Sequence, residues 1–189
     1  AIKAGINMSE SKVENVSGDH HTFFTKRFDR YETKRVHFAS AMTMTGNNET
    51  TIKENPASYL DIAEFLQFTG AQGTKDLHQL WRRIVFNIAI SNTDDHLRNH
   101  GFILSQNGWK LSPAYDINPS IDKVGLSLNI DMEDNSLDFD LALRVGTYFQ
   151  LSSEQMEQII HEVKSAVREW RTVAKNIGIS RREQSIMES

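Results

Sequence analysis

The sequence predicts an α+β fold, predominantly helical, with a short strand region near the N-terminus and one β-hairpin in its second half. Three observations predict it. Apolar residues recur at helical spacing over residues 57–69, 74–91 and 152–178. Two short apolar runs flank Asn107-Gly108, the dipeptide most characteristic of a two-residue hairpin turn. Between these regular segments lies a polar, acidic stretch, SNTDDHLRNHGFILSQNGWKLSPAYDINPS, running from Ser91 to Ser120.

A single domain accommodates 189 residues and can bury a core. Hydrophobic residues make up 39% and charged residues 24%, the balance of an ordinary globular protein. The net charge of −4, without a basic tail, argues against a dedicated nucleic-acid binder. With no cysteine there is neither a disulfide framework nor a thiolate metal site, which accords with a cytoplasmic protein. No apolar run is long enough to span a membrane, and no secretory signal opens the chain. The first residues, AIKAG, read as the end of a helix, so the chain is expected to be a piece of a longer protein.

Taken in order, residues 2–6 are expected to end a helix, with Gly5 as its C-cap. Residues 7–16 carry no clear period. Ser17-Gly18-Asp19 signals a turn, and residues 22–28, TFFTKRF, read as a strand. Val36, Ala39, Met42 and Met44 predict a short helix over residues 33–45, followed by a polar loop over 47–56. Tyr59, Leu60, Ile62, Ala63 and Leu66 form a helical stripe stopped by Gly70. Over residues 74–91 the stripe of Leu77, Leu80, Trp81, Ile84, Val85 and Ile88 widens until the C-terminal half is apolar nearly all round, which predicts burial. Residues 101–104 and 109–111 are the hairpin strands, with a type I′ turn expected at Asn107-Gly108. Residues 117–135 read as loop with a strand over 126–130. Ser136 or Asp138 is expected to cap a helix over 137–149, and Ser152 or Ser153 to open the last long helix, which Gly178 ends. The tail after it is polar and reads as frayed. Trp81, Trp109 and Trp170 are expected in the core, and His20-His21 at the surface.

The chemistry concentrates in residues 91–120. Asp94 and Asn99 are five residues apart, the D-x-x-x-x-N spacing with which kinases orient a substrate hydroxyl and hold Mg²⁺. Asp116 follows seventeen residues after Asn99, and the hairpin between them gives it a route back to that loop. On this reading Asp94 accepts the hydroxyl proton, and Asn99 and Asp116 supply a neutral and an anionic oxygen to the metal. Two other readings stay open on spacing alone. Asp94 and Asp95 could simply cap and solvate a turn. Asp94, Asp95, His96 and His100 could bind a transition metal, although the His pair lacks the glutamate base of a metalloprotease. His96 could support the loop or touch phosphate, and Arg98 reads by default as an exposed arginine.

The order Arg27-Phe28-Asp29-Arg30, then Thr93-Asp94-x-His96-x-x-Asn99, then Ser112-Pro113-Ala114-Tyr115-Asp116, resembles the C-terminal part of the HipA-like kinases, the toxin component of bacterial toxin–antitoxin modules. The resemblance covers the chain from about Gly5 to the last helix. It implies the C-terminal lobe of a distant protein-kinase fold and ATP-dependent phosphorylation of a Ser or Thr on a protein, an aminoacyl-tRNA synthetase in characterised members. It also implies a small DNA-binding antitoxin as partner. By position, Asp94 would be the catalytic base, with His96 beside it, and Asn99 and Asp116 the Mg²⁺ ligands. Lys26 and Phe28 would form the hinge that bonds adenine through the backbone, and Asp29 would lie on the ribose side.

The resemblance divides the chain into residues 1–30, a remnant of the N-terminal lobe and hinge, and 31–189, the helical lobe. It also exposes departures. Upstream of the strand at 22–28 there is no Gly-rich loop and no phosphate-pairing lysine; Lys3 and Lys12 are poor substitutes. The regulatory serine loop of some relatives is missing. Where relatives carry Gln-Glu-Asp after the histidine at 37, this chain has Phe38-Ala39-Ser40. The expectation is therefore a kinase whose 189 residues alone bind nucleotide weakly and turn over little. The alternative is an inactive lobe that scaffolds an antitoxin; against it stands the clustering of carboxylates that repel one another without a cation.

Overall fold

The computed structural model describes residues 1–18, 20–121 and 124–188, with His20 and Glu188 described through their backbone. A 3-10 turn, Ile2–Ala4, opens the chain and closes on Gly5 in the left-handed region (φ 75°). Strands β1 (Ser11–Ser17) and β2 (His20–Thr25) pair antiparallel, and β3 (Arg30–Tyr31) and β4 (Lys34–Arg35) make a minimal ribbon. Strand β5 (Phe38–Ser40) leads into α1 (Ala41–Met44), and α2 (Glu49–Glu54), α3 (Tyr59–Thr69) and α4 (Thr74–Ile90) follow. After the polar loop come β6 (Gly101–Ser105) and β7 (Gly108–Leu111). The chain finishes with α5 (Phe139–Val145), a 3-10 turn Gly146–Phe149, α6 (Ser153–Arg168), α7 (Trp170–Asn176) and α8 (Arg181–Glu188).

The core is helical. Tyr59, Ile62 and Leu66 of α3, Leu77, Leu80, Trp81 and Ile84 of α4, Leu141 of α5 and Val163 of α6 are all buried in one cluster. Each such side chain contributes about 1.5–3 kcal/mol by leaving water. Trp81 is buried completely because its indole N–H finds the Ala142 carbonyl at 3.0 Å. The N-terminal turn is held against this bundle by Arg82, which donates to the Ala4 carbonyl at 2.9 Å and to Glu162 at 2.6 Å.

A three-stranded antiparallel sheet, ordered β5-β6-β7, covers one end of α3. Phe102 of β6 packs on Phe65 with ring centroids 4.4 Å apart, and Ala71 donates its N–H to the Trp109 carbonyl at 2.6 Å. Gly101 is required where Ser40 pairs with it: a Cβ there would meet Phe38 Cε2 at 2.3 Å. This sheet turns the chain from β5 into α1 directly beside the polar loop, with Ala41 N–H on the His100 carbonyl at 2.8 Å.

The helices at 57–69 and 74–91, the hairpin strands and the Gly5 cap stand as expected. Other expectations are corrected. Residues 33–40 are mostly extended rather than helical, because pairing of Lys34 and Arg35 with β3 and of residues 38–40 with β6 claims the backbone, and Leu104 N–H bonds the His37 carbonyl at 2.9 Å. The polar loop over 47–56 contains α2, which buries none of its residues and rests on the reciprocal capping box of Asn48 and Thr51. Leu126, Leu128 and Ile130 alternate into the core without a strand, since Asn129 makes only an isolated bridge to Ser58. The final helix breaks at Glu169, and the tail forms α8, opened by reciprocal bonds between Ser180 and Glu183. In the hairpin, Ser105 pairs with Gly108, so Gln106-Asn107 occupy the turn; neither has positive φ, and Gly108 takes that role at 122°. Trp109 and Trp170 are half-buried, His21 is exposed, and Asp19 and the side chain of His20 lie outside the described residues.

Candidate active site

Helix α4 ends by delivering the chain into the loop. Ser91 adopts the left-handed conformation (φ 54°), and Asn92 N–H returns to the Asn87 carbonyl at 2.9 Å, capping the last turn. Ser120 N–H bonds the Ser91 carbonyl at 3.1 Å, so the two ends of the stretch meet.

Within the loop, neighbouring aspartates face opposite ways. Asp94 is exposed, whereas Asp95 is 2% exposed. Asn99, itself 6% exposed, donates its amide to the Asp94 carbonyl oxygen at 3.2 Å. One residue on, His100 Nε2 donates to Asp95 Oδ2 at 2.8 Å. That same oxygen accepts Asn87 Nδ2 of α4 at 2.8 Å and the hydroxyl of Tyr59 from α3. Asn92 in turn donates to Asn87 Oδ1 at 3.1 Å.

This buried network sets its own electrostatics. Burial pushes the Asp95 carboxyl up, but the charge and hydrogen bond of His100, the Tyr59 hydroxyl and the Arg83 guanidinium outweigh it and hold Asp95 below the usual carboxylate range. Burial, reinforced by the Asp95 charge, drives Tyr59 well above its ordinary value. Arg83 of α4 is 1% exposed and is pushed down to about 10 by burial. It donates Nη2 to the Ser112 carbonyl at 2.5 Å, while its Nε and Nη1 have no protein partner.

Asp116 is exposed and sits in the left-handed region (φ 55°), a conformation that costs a non-glycine residue about 1–2 kcal/mol. Such strain is concentrated at functional positions. The residue before it, Tyr115, donates its hydroxyl to the Arg98 carbonyl at 2.7 Å. Arg98 precedes Asn99, so this bond ties the Asp116 segment to the Asp94–Asn99 loop. The oxygens present suit Mg²⁺. Because the Asn99 amide nitrogen is engaged, its Oδ1 is turned away from the Asp94 carbonyl. Asp116 Oδ1 accepts the Asn118 amide at 2.9 Å, leaving its second oxygen. One neutral and one anionic oxygen are the hard ligands Mg²⁺ takes, with water and phosphate completing its shell.

The expected nucleotide-side residues lie next to this loop in part. Phe28 packs on Phe38 and Tyr115, with centroids 5.5 and 5.7 Å away, so an aromatic cluster joins the end of the N-terminal hairpin to the Asp116 segment. Lys26 is spent on the hairpin: its N–H meets the Glu10 carbonyl at 2.8 Å and its ammonium Glu10 Oε2 at 3.0 Å. The Asp29 carboxylate is clamped by Arg27 at 2.8 and 2.7 Å and by Arg30, and the Arg27 hydrogen bonds first hold it below the usual range. His96 is half-buried, with Nδ1 enclosed and unpartnered. Among the described residues no three His, Asp or Glu side chains converge on a point, which removes support from the transition-metal reading.

Sequence reasoning missed Tyr59, Asn87 and Arg83, and treated Asp95 and His100 only as capping or metal groups. A signal existed: Arg83 and Asn87 interrupt the otherwise apolar half of α4, and a polar residue there needs a buried partner.

The model of the HipA-like C-terminal domain matches residues 1–170. The chain belongs to this family. The protein Y4mE of Sinorhizobium fredii (strain NBRC 101917 / NGR234), whose name proposes a kinase, is 23% identical over 187 residues, covering 94% of this chain and 39% of that relative. The chain therefore spans about two fifths of that curated relative's length. Among solved structures, HipA of Shewanella oneidensis MR-1, in complex with HipB and operator DNA, superposes with a TM-score of 0.73 at 13% identity, over 99% of this chain and 50% of that one. The Helicobacter pylori proinflammatory kinase CtkA gives 0.53 at 12% identity, over 89% and 78%. At these identities the two structures speak for the fold, a HipA-like, kinase-like lobe. Among the described residues no helix is long and apolar enough to cross a membrane.

Proposed function

We propose that this chain carries the catalytic and metal-binding half of an ATP-dependent Ser/Thr protein kinase of the HipA type. The observation that carries the reading is the joining of two segments: Asn99 braces the Asp94 main chain, and Tyr115 hooks the Asp116 segment onto the Arg98 carbonyl. Asp94, Asn99 and Asp116 are the residues we assign to the reaction. The exposed Asp94 carboxylate accepts the proton of the substrate hydroxyl as its oxygen bonds to the γ-phosphorus and the bond to the departing ADP oxygen breaks. Asn99 Oδ1 and Asp116 hold Mg²⁺, which when bound neutralises charge on the nucleotide phosphates. The Nδ1 of His96 is enclosed and out of reach of a phosphate, which favours loop support beside Asp94 for this residue.

The aromatic cluster of Phe28, Phe38 and Tyr115 supplies apolar surface for the base, beside a hinge at Lys26 and Phe28 in which Lys26 would offer its carbonyl, its N–H being held by Glu10. Asp29 serves the ribose side through the geometry that Arg27 and Arg30 impose on it. In this reading residues 1–30 are the hinge end of an N-terminal lobe and 31–189 the helical lobe. A protein substrate, an aminoacyl-tRNA synthetase by resemblance, and a DNA-binding antitoxin such as the HipB found with the Shewanella protein complete the proposal, in the bacterial cytoplasm. The test is phosphate transfer from labelled ATP by the full-length protein to a panel of aminoacyl-tRNA synthetases. Mg²⁺-dependent labelling of Ser or Thr, abolished by Asp116→Ala, is expected; a full-length protein that binds no ATP would overturn the reading.

A further inference from the structure

The loop from Asp94 to His100 is closed twice, at the same span. On its exposed side Asn99 reaches back five residues to the Asp94 carbonyl; on its buried side His100 reaches back five residues to Asp95. The two closures are one residue out of step. Each member of the outer pair is therefore bonded covalently to a member of the inner pair: Asp94 to Asp95, and Asn99 to His100. The inner closure is anchored where the outer one is not. Asp95 Oδ2 also takes the Tyr59 hydroxyl from α3 and Asn87 from α4, and the His100 carbonyl takes Ala41 N–H from α1. Tyr59 and His100 pack edge to face, with ring centroids 5.6 Å apart, so the imidazole is fixed in tilt as well as in distance.

We infer that Asp95 and His100 are positioning residues that set the separation of Asp94 and Asn99, so that this loop's metal affinity depends on a buried pair that touches neither metal nor substrate. The inference rests on the kinase reading above and deepens it. Asn99 is one peptide link from His100. The other ties at this end of the loop are Ala41 N–H on the His100 carbonyl, Met42 N–H on the Leu97 carbonyl and the Tyr115 hydroxyl on the Arg98 carbonyl. All three grip main-chain oxygens and run to α1 and the Asp116 segment, so among the described residues the His100 imidazole is what ties this end to the Asp95 cluster between α3 and α4. Groups behind the metal ligands act in this way in metalloenzymes, where removing one typically weakens metal affinity by about 10–100-fold.

The measurement is Mg²⁺-dependent binding of a non-hydrolysable ATP analogue to the full-length protein, read calorimetrically over a Mg²⁺ titration. His100→Ala is expected to raise the Mg²⁺ concentration at half-saturation by about tenfold or more, and His100→Gln, whose amide can reach Asp95, to recover most of it. In an Asn99→Ala background the His100→Ala shift should disappear, because the ligand through which it acts is gone. Tyr59→Phe, which keeps the ring and removes one of the three donors, gives a smaller rise and serves if His100→Ala does not fold. A purely structural pair would lower the fraction of folded protein and leave the half-saturation point within twofold; that result, or an undiminished shift without Asn99, overturns the inference while the kinase reading stands. A wild-type protein that binds no Mg²⁺-nucleotide overturns both.

Discussion

The loop over residues 92–100 and the β1–β2 hairpin both run against what their polarity suggests, and they are held in opposite ways. The loop has a polar sequence and a buried inside: Asn92, Asp95, Asn99 and His100 are all under a tenth exposed, Asn99 and His100 bond back within the loop, and Asn92 and Asp95 take their partners from α3 and α4. The hairpin has apolar residues and no inside. Every residue of β1 is exposed, and Val13 and Phe23, cross-strand partners, are 59% and 64% exposed. The difference teaches that polarity does not locate the surface here. The loop is fixed by charged hydrogen bonds that exist only after two helices have packed, whereas the hairpin is fixed by its own backbone ladder and by its ends, Ser9 N–H on the Ala114 carbonyl and Lys26 on Glu10.

The adjacent aspartates offer the sharpest way to break that comparison. Asp94→Ala in the full-length protein should lower turnover by roughly 10²–10⁴, the range for a positioned acid or base. It should leave unfolding free energy within about 0.5 kcal/mol, since the side chain is exposed. Unchanged turnover removes Asp94 from the mechanism. Asp95→Ala should do the reverse in kind: it strands His100, Asn87 and Tyr59 without their common acceptor and should cost about 3–5 kcal/mol in a urea melt. A small loss would mean that the loop is not held from inside.

Two buried carboxylates, Asp95 of the loop and Asp76 of α4, differ in their response to acid. The Asp95 carboxyl is depressed in the folded state, so its stabilisation is complete above the unfolded value of about 3.9 and is lost as pH falls through the lowered folded value. Each unit of depression is worth about 1.4 kcal/mol. Asp76, at the start of α4, has the opposite sign. Burial raises its carboxyl despite the Leu111 N–H at 3.0 Å, so its contribution is present at low pH and is lost as pH rises through the raised value. Asp95→Asn should therefore flatten the acid limb of a stability profile. Asp76→Asn, which keeps an acceptor for Leu111, should gain on wild type as pH rises towards neutrality. Parallel profiles for all three proteins would contradict both assignments.

What was legible in the sequence follows the same division. Helices α3 and α4 announce themselves because one apolar stripe and one cap suffice to specify each, and Ser58 and Gly70 bracket α3 within a residue or two. Asp94, Asn99 and Asp116, the residues we assign to the reaction, could be picked out by spacing, and the hairpin between them carries the chain back to where Tyr115 bonds the Arg98 carbonyl. The inner closure could not be read. A carboxylate facing Tyr59 and Asn87 looks in sequence like any other loop aspartate, since its partners lie 36 and 8 residues away. Strand β5 was hidden for a related reason: Phe38, Ala39 and Ser40 carry no alternation, and only the partner strand 62 or so residues on makes them extended. Helix α2 was hidden because it rests on the core through Ile52 alone, and a single apolar residue makes no stripe.

The smallest expected effect falls on the hairpin. Replacing both Val13 and Phe23 by Ser removes two large apolar side chains from a strand pair, a change that would cost several kcal/mol in a core. Here both are already more than half exposed, and their mutual contact is the main interaction lost, worth about 0.2–1 kcal/mol for a cross-strand pair. The double substitution should therefore shift the unfolding free energy of these 189 residues by less than about 1 kcal/mol. Leu80→Ala, in the wholly buried stripe of α4, should cost about 2–5 kcal/mol under the same conditions. Equal losses would show that the hairpin's apolar face is covered in solution, and the contrast between a loop held from within and a ribbon held only by its backbone would fail at that point.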